Sequence, residues 1–228
     1  MVGPGSPYFG LDFFGFLKDL EANNNRDWFT AHKDRYMASI QDPSLRFITD
    51  VGPMLKGFSP HLVAEPKPFG GSLSRIYRDV RFSKDKSPYR TNIGIHFWYK
   101  RSLGKEQGLP GFFLHLSSGE SFAASGMWQP EPPALTKIRD AIVARPDAWM
   151  KVVRDTPPLE GESLVRPPKG YDPAHPLMTD LRRKDYIASV RFRHREVTGP
   201  GFRDAFLGAC RTLNPLNRFL AEAMGLPW

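Results

Sequence analysis

Between Ser72 and Arg90 the chain reads Ser-Leu-Ser-Arg-Ile-Tyr-Arg-Asp-Val-Arg-Phe-Ser-Lys-Asp-Lys-Ser-Pro-Tyr-Arg. Six cations, Arg75, Arg78, Arg81, Lys84, Lys86 and Arg90, stand there among Asp79, Asp85, Tyr77, Phe82 and Tyr89. The basic groups at 75, 78, 81 and 84 recur every three residues, a spacing that stacks them along one edge of a short 3₁₀ turn and nearly aligns them on an α-helix. Cations crowded in this way repel unless an anion separates them, and two aspartates neutralise only part of the cluster. A phosphate, a carboxylate or a nucleic-acid backbone is the partner that guanidinium and ammonium groups take. The candidate ligand-binding residues are therefore Arg75, Arg78, Asp79, Arg81, Lys84, Lys86, Tyr89 and Arg90. The same residue types also build internal ion-pair lattices that pin a loop to its domain with no ligand at all, so both readings stand at this level.

Other patterns point to chemistry less well. Ser83-Lys-Asp-Lys86 matches S-x-x-K, in which a lysine one turn on activates a serine, but Pro88 shortens any helix there and neither S-D-N nor K-T-G occurs. His96, His115 and His175 are the imidazoles that could meet Asp79 on a metal ion. With no H-x-x-x-H or H-E-x-x-H helix to support that, they read as hydrogen-bonded core or edge residues, and no metal or cofactor is assigned. A P-loop and a dinucleotide-binding glycine fingerprint are both absent. Phosphoryl transfer, with Asp79 or Asp85 as base or metal ligand and the cations steadying charge, is allowed by the residue types but not singled out by their spacing.

The elements that must position these groups follow from periodicity. Phe13, Phe16, Leu17 and Leu20 form a helical stripe that Ala22-Asn-Asn-Asn25 interrupts, and Asn25 caps a second helix predicted over Arg26 to Ile40 with Trp28, His32, Tyr36 and Ile40 at four-residue steps. A third helix opens near Pro43 and should kink or end at Gly52-Pro53; residues 61–71, rich in Pro and Gly, read as a loop. Then the period changes to two. Ile93, Ile95 and Phe97 alternate with Gly94, His96 and Trp98 within Thr91 to Lys100. Phe112, Leu114 and Leu116 alternate with Phe113 and His115, and Ser121 to Trp128 follows a Ser118-Gly119 turn. Three strands in succession predict an antiparallel meander. Helices through Leu135, Ile138 and Ile142 and through Trp149 and Val153 come next, and then a proline-dense ordered loop over 156–176. Tyr186 to Val197 reads as an edge strand with Arg191, Arg193 and Arg195 on one side, and the chain ends in helix from Phe202, continuing after Pro215. The fold class is α+β: a flexible N-terminus over residues 1–8 and a single domain over 9–228, with an antiparallel sheet of about four to six strands and N-terminal and C-terminal helices packed mainly on one face.

Composition sets the wider limits. The 228 residues carry a formal charge of +8 and a pI near 9.7, with 17 Phe, 7 Tyr and 5 Trp to fill a core. The charge favours anionic partners through long-range attraction, although further basic groups lie scattered at Lys100-Arg101, Arg182-Arg183-Lys184 and Arg191, Arg193 and Arg195. Cys210 is the only cysteine, so an intrachain disulfide is excluded and a reducing cytoplasm fits. The N-terminus lacks the basic and apolar regions of a signal peptide, and no apolar run approaches the roughly 18 residues of a membrane span. A soluble cytoplasmic protein with no membrane partner is expected.

Several segments together carry a resemblance. Asn23-Asn-Asn-Arg-Asp-Trp-Phe29 with Lys33 and Tyr36, the Ser74 to Arg90 run, Thr91-Asn-Ile-Gly-Ile-His-Phe97, Gly126-Met-Trp-Gln-Pro130 and Arg166-Pro-Pro-Lys-Gly-Tyr171 are similar to the bacterial family known as domain of unknown function 2461. The resemblance extends over nearly the whole chain and implies one domain from near Phe9 to Trp228, but it implies no activity. Where members of that family often show a histidine after Gly-Ile-Trp, this chain has Gln129, which weakens a metal site using that position. Two function classes remain at this stage. One is a receptor or enzyme whose cleft holds a small anionic ligand against Arg75, Arg78, Arg81 and Lys86; Pro88, Gly70-Gly71 and the Pro167-Pro168 loop favour it by suggesting a shaped pocket. The other is a nucleic-acid-binding module in which the same groups clamp phosphates while Tyr77, Tyr89 or Trp98 stacks on bases.

Overall fold

Five strands pair antiparallel in sequence order: β1 (Leu62–Val63), β2 (Asn92–Tyr99), β3 (Gly111–Ser117), β4 (Ser121–Met127) and β5 (Tyr186–Phe192). They are seen in a computed structural model that describes residues 7–99 and 109–228. Around the sheet lie α1 (Leu11–Ala22), α2 (Arg26–Ala31), α3 (Lys33–Tyr36), a π-helical turn (Met37–Gln41), α4 (Asp42–Leu55), α5 (Pro132–Ala144), α6 (Pro146–Asp155), α7 (Met178–Leu181), α8 (His194–Val197) and α9 (Phe202–Ala223). The class is α+β, as the change of period from 3.6 to 2 predicts. No helix among the described residues is long and apolar enough to cross a membrane.

The alternation of the strands separates two faces. Ile93, Ile95, Phe97, Phe112, Leu114, Leu116, Ala123 and Met127 are all buried, and α9 lies on that side, its Phe206 ring 5.6 Å from Phe97. Phe47 of α4 meets both Phe202 and Phe206 of α9, with centroids 5.7 and 5.4 Å apart, which ties the N-terminal helices to the C-terminal one. Each such aromatic contributes roughly 1.5–3 kcal/mol by leaving water. On the other face His96 is exposed, and Phe113, His115 and Phe122 stay half-exposed.

Several elements depart from the sequence reading for local reasons. The helix predicted over Arg26 to Ile40 starts as foreseen, with Asn25 Oδ1 accepting the Trp28 N–H at 2.9 Å. It breaks at His32, whose Nδ1 lies 2.8 Å from the Trp28 carbonyl oxygen and whose ring stacks on the Trp28 indole at 4.1 Å. Gly52-Pro53 does not stop α4, which runs two residues further. Within the expected loop at 61–71, Leu62 and Val63 pair with Tyr99 and Trp98 as a short edge strand. Val152, not Val153, is the buried valine of α6. β5 ends at Phe192 because the Glu196 carboxylate accepts the Arg193 N–H at 2.7 Å and starts α8, so Arg195 is helical and does not continue the strand. α9 passes through Pro215 as one helix. The proline-dense 156–176 segment is tied along the β5 edge: Glu160 bridges Ile187, and the Glu162 N–H donates to the buried Asp185 carboxylate at 2.8 Å. The other oxygen of Asp185 takes the N–H of Gln129 at 2.7 Å, in a turn where Gln129 has φ +45°. Of the N-terminal segment 1–8, residues 1–6 lie outside the described part. Tyr8 is buried and donates to Asp50 at 2.6 Å. Lys100 and Arg101 also lie outside the described residues.

Candidate functional site

The basic segment is an irregular hairpin and has no helical turn. Ser72 and Ser74 run beside β2, where the Ser74 N–H donates to Gly94 at 2.9 Å and the His96 N–H to Ser72 at 2.8 Å. The chain then doubles back on itself: Tyr77 bridges Tyr89, the Arg78 N–H donates to Pro88 at 2.9 Å, and the Arg90 N–H to Ile76 at 2.8 Å. This overturns the expected stacking of Arg75, Arg78, Arg81 and Lys84 along one edge. The physical reason lies in the aspartates. Asp79 takes the Arg81 N–H at 3.3 Å, and Asp85 takes the Ser87 N–H at 2.9 Å and its hydroxyl at 2.6 Å; such local captures compete with helical hydrogen bonds. Ile76 and Tyr89 turn inward and are buried, and they are the hairpin's anchors.

The same carboxylates absorb much of the positive charge. Arg81 grips Asp79 with two bonds, 2.9 and 2.7 Å long, and these bonds hold the Asp79 carboxyl down at about 2. Asp85 is likewise held well below the usual carboxylate range, first by Ser87 and then by Arg78, whose guanidinium pairs with it. Arg78 also reaches the Ser87 carbonyl at 3.3 Å and Ser83 Oγ at 3.4 Å, while Lys86 donates to the Val80 carbonyl at 3.0 Å. Ser83 and Lys86 therefore face separate partners and form no acylation pair.

A cleft of about 510 Å³ opens between this hairpin and the α1–α2 corner. Four of the sequence-selected residues line it, namely Arg78, Asp79, Tyr89 and Arg90, together with Glu21, Asn24, Asp85, Ser87, Thr91 and Asn92. Arg75, Arg81, Lys84 and Lys86 do not line it. Arg75 is near enough to Asp79 to help keep it ionised. Tyr89 lines the cleft although its ring is buried in a stack on Phe29 at 4.1 Å. Of the three rings proposed to stack on bases, Tyr77 is exposed, Trp98 is half-buried and Tyr89 is buried.

Asn24 is the positioning residue that spacing did not reveal. Its amide accepts the Tyr89 N–H and donates to the Tyr89 carbonyl, both at 3.0 Å, reproducing the two bonds a strand partner would make. The two residues are 65 positions apart, and the sequence reads Asn24 only as part of a helix break before the Asn25 cap. Asn24→Ala should cost about 1.5 kcal/mol by leaving both Tyr89 groups unmet. Hydrogen exchange at the Tyr89 amide reports this directly, and unchanged protection would show that the clamp does not hold the hairpin.

The histidines fall in two places. His96 and His115 share the outer sheet face, whereas His175 Nδ1 accepts the Leu177 N–H at 3.1 Å on the loop before α7. Among the described residues no group of three or more His, Cys, Asp or Glu side chains is placed to hold a metal ion. His96 keeps an exposed edge although protein surrounds the rest of its ring; that desolvation, and then the positive Arg90, lower its pKa.

A family model described as "Conserved hypothetical protein", domain of unknown function 2461, matches residues 12–219. The match runs from α1 into α9 and takes in every element that builds the cleft. No curated protein matches the chain.

Proposed function

The chain belongs to the domain of unknown function 2461 family, and from the geometry of the cleft we infer that it binds a small polar ligand bearing a phosphate or carboxylate, anchored on Arg90. The observation that carries this reading is the distribution of unspent charge. Arg78 is held by Asp85, and Asp79 by Arg81. Arg90, exposed and lining the cleft, takes part in none of the ion pairs among the described residues. Glu21, which α1 brings to the cleft, likewise takes part in none of the ion pairs among the described residues. A ligand that sets an anion on Arg90 and turns hydroxyl or amine donors toward Glu21, Thr91 and Asn92 satisfies both charges.

Titration of the protein with inorganic phosphate and a panel of sugar phosphates and small carboxylates tests this. At least one should bind, with Arg90→Ala weakening it at least tenfold, as loss of a charge-assisted hydrogen bond requires. Lys84→Ala, which removes a cation outside the cleft, should leave the affinity unchanged. Equal loss in both variants would mean diffuse attraction to the +8 charge, and no binding across the panel would leave the hairpin as a structural ion-pair lattice.

A further inference from the structure

The cleft does not end at its wall. Asn92 lines it and also begins β2, and its Nδ2 lies 3.4 Å from His115 Nδ1 on β3. From that point a group of four rings in mutual contact lies on the outer face of β2, β3 and β4. His115 and Phe122, register partners on β3 and β4, lie 4.7 Å apart and nearly parallel at 9°. Phe113 stands 6.3 Å from Phe122, and His96 stacks obliquely on Phe113 at 4.5 Å. Gly94 makes room for this surface, because a Cβ there would lie 2.8 Å from the Phe113 ring. The rings are half-exposed or exposed, although a surface of this kind is ordinarily covered. Burial lowers the pKa of His115 while Glu120 pulls it the other way; the net shift favours the uncharged imidazole, a ring that stacks without repelling a cationic neighbour.

Resting on the reading of Arg90 as an anion anchor, we propose that the ligand of the cleft is a mononucleotide, its phosphate on Arg90 and its base on the His115–Phe122 platform. One guanidinium joined by a polar residue to a row of half-exposed rings that begins with the stacked His115–Phe122 pair matches a molecule with one anionic end and one planar end. A sugar phosphate would use only the first half of this site. A nucleic-acid strand would need a succession of free cations along the cleft, and of the two cations that line it Arg78 is committed to Asp85, which leaves Arg90. Aromatic rings accept any base by its π-face, so the platform selects for a base without selecting which one.

Titration calorimetry with inorganic phosphate, ribose 5-phosphate, AMP, UMP and a random single-stranded RNA separates the outcomes. AMP and UMP should bind at least tenfold more tightly than ribose 5-phosphate. Phe122→Leu, which keeps an apolar side chain and removes the π-face, should bring the nucleotides down to the ribose 5-phosphate level while leaving ribose 5-phosphate itself unchanged. Phe122→Ala tests the same loss, with circular dichroism to confirm the fold. Equal binding of AMP and ribose 5-phosphate would overturn the base platform and leave the Arg90 anchor standing. No binding of any phosphate would overturn the mononucleotide and leave the Arg90 anchor to a carboxylate alone. RNA binding tighter than AMP with a steep salt slope would replace the mononucleotide by a strand, and full nucleotide affinity in Phe122→Leu would remove the platform from the site.

Discussion

Gly126→Ala should lower stability by about 4 kcal/mol, the sum of a strained backbone and a forced separation of strands. Gly126 has φ +109°, a region closed to side-chain-bearing residues. A Cβ at this position would lie 1.9 Å from the Tyr186 carbonyl oxygen and 3.0 Å from Ile187 Cα. Both atoms belong to the backbone of β5, so no rotamer change relieves the overlap. The β4–β5 ladder would have to open at the register pair Gly126–Ile187. Urea unfolding should show a midpoint shift of this size with little change in slope; a shift below about 1 kcal/mol would mean that β5 can move away at little cost. Several kcal/mol is a large share of the stability of a typical domain.

Asn217→Ala should cost about 3 kcal/mol through two backbone groups left without partners. Asn217 is fully buried in α9, an unfavourable place for a side chain that helices tolerate poorly. Its Oδ1 accepts the Gly126 N–H and its Nδ2 donates to the Gly111 carbonyl, both at 2.9 Å. Gly111 and Gly126 are themselves partners across β3 and β4, so one amide closes the end of the ladder and fastens the helix to it. Asn217→Asp keeps the acceptor, but it loses the donor and sets a carboxylate oxygen against the Gly111 carbonyl, and it should be no better than alanine. Thermal unfolding of the two variants checks this. Recovery in the aspartate variant would show that the Gly111 contact contributes nothing.

The parts of the fold that could be read from residues alone are those in which neighbours in sequence are neighbours in space. The α1 stripe, the Asn25 cap, the alternation in β2 and β3 and the order of the meander rest on periods of 3.6 and 2 and on short connections. The division of rings between faces was legible too: Phe112 and Leu114 are buried, whereas His96, Phe113 and His115 lie on the other side. Departures arise where a side chain competes with the backbone. His32 at the Trp28 carbonyl splits a helix, and Asp79 and Asp85 capture local N–H groups and convert a three-residue period into a hairpin.

Sequence by itself determined the family, the α+β class and the density of basic groups between Arg75 and Arg90. These depend on local pattern and residue type, which need no knowledge of distant contacts. Which of those cations remain free was decided only in three dimensions. Arg78 and Arg81 carry the same charge as Arg90, but they lie within reach of Asp85 and Asp79 once the hairpin closes, while Arg90 lines the cleft and is exposed. The walls come from elsewhere in the chain, with Glu21 and Asn24 delivered by the α1–α2 corner and Asn92 by the start of β2. A charge is spent or available according to what stands within about 4 Å of it, and for this site that neighbourhood is assembled from segments far apart in sequence.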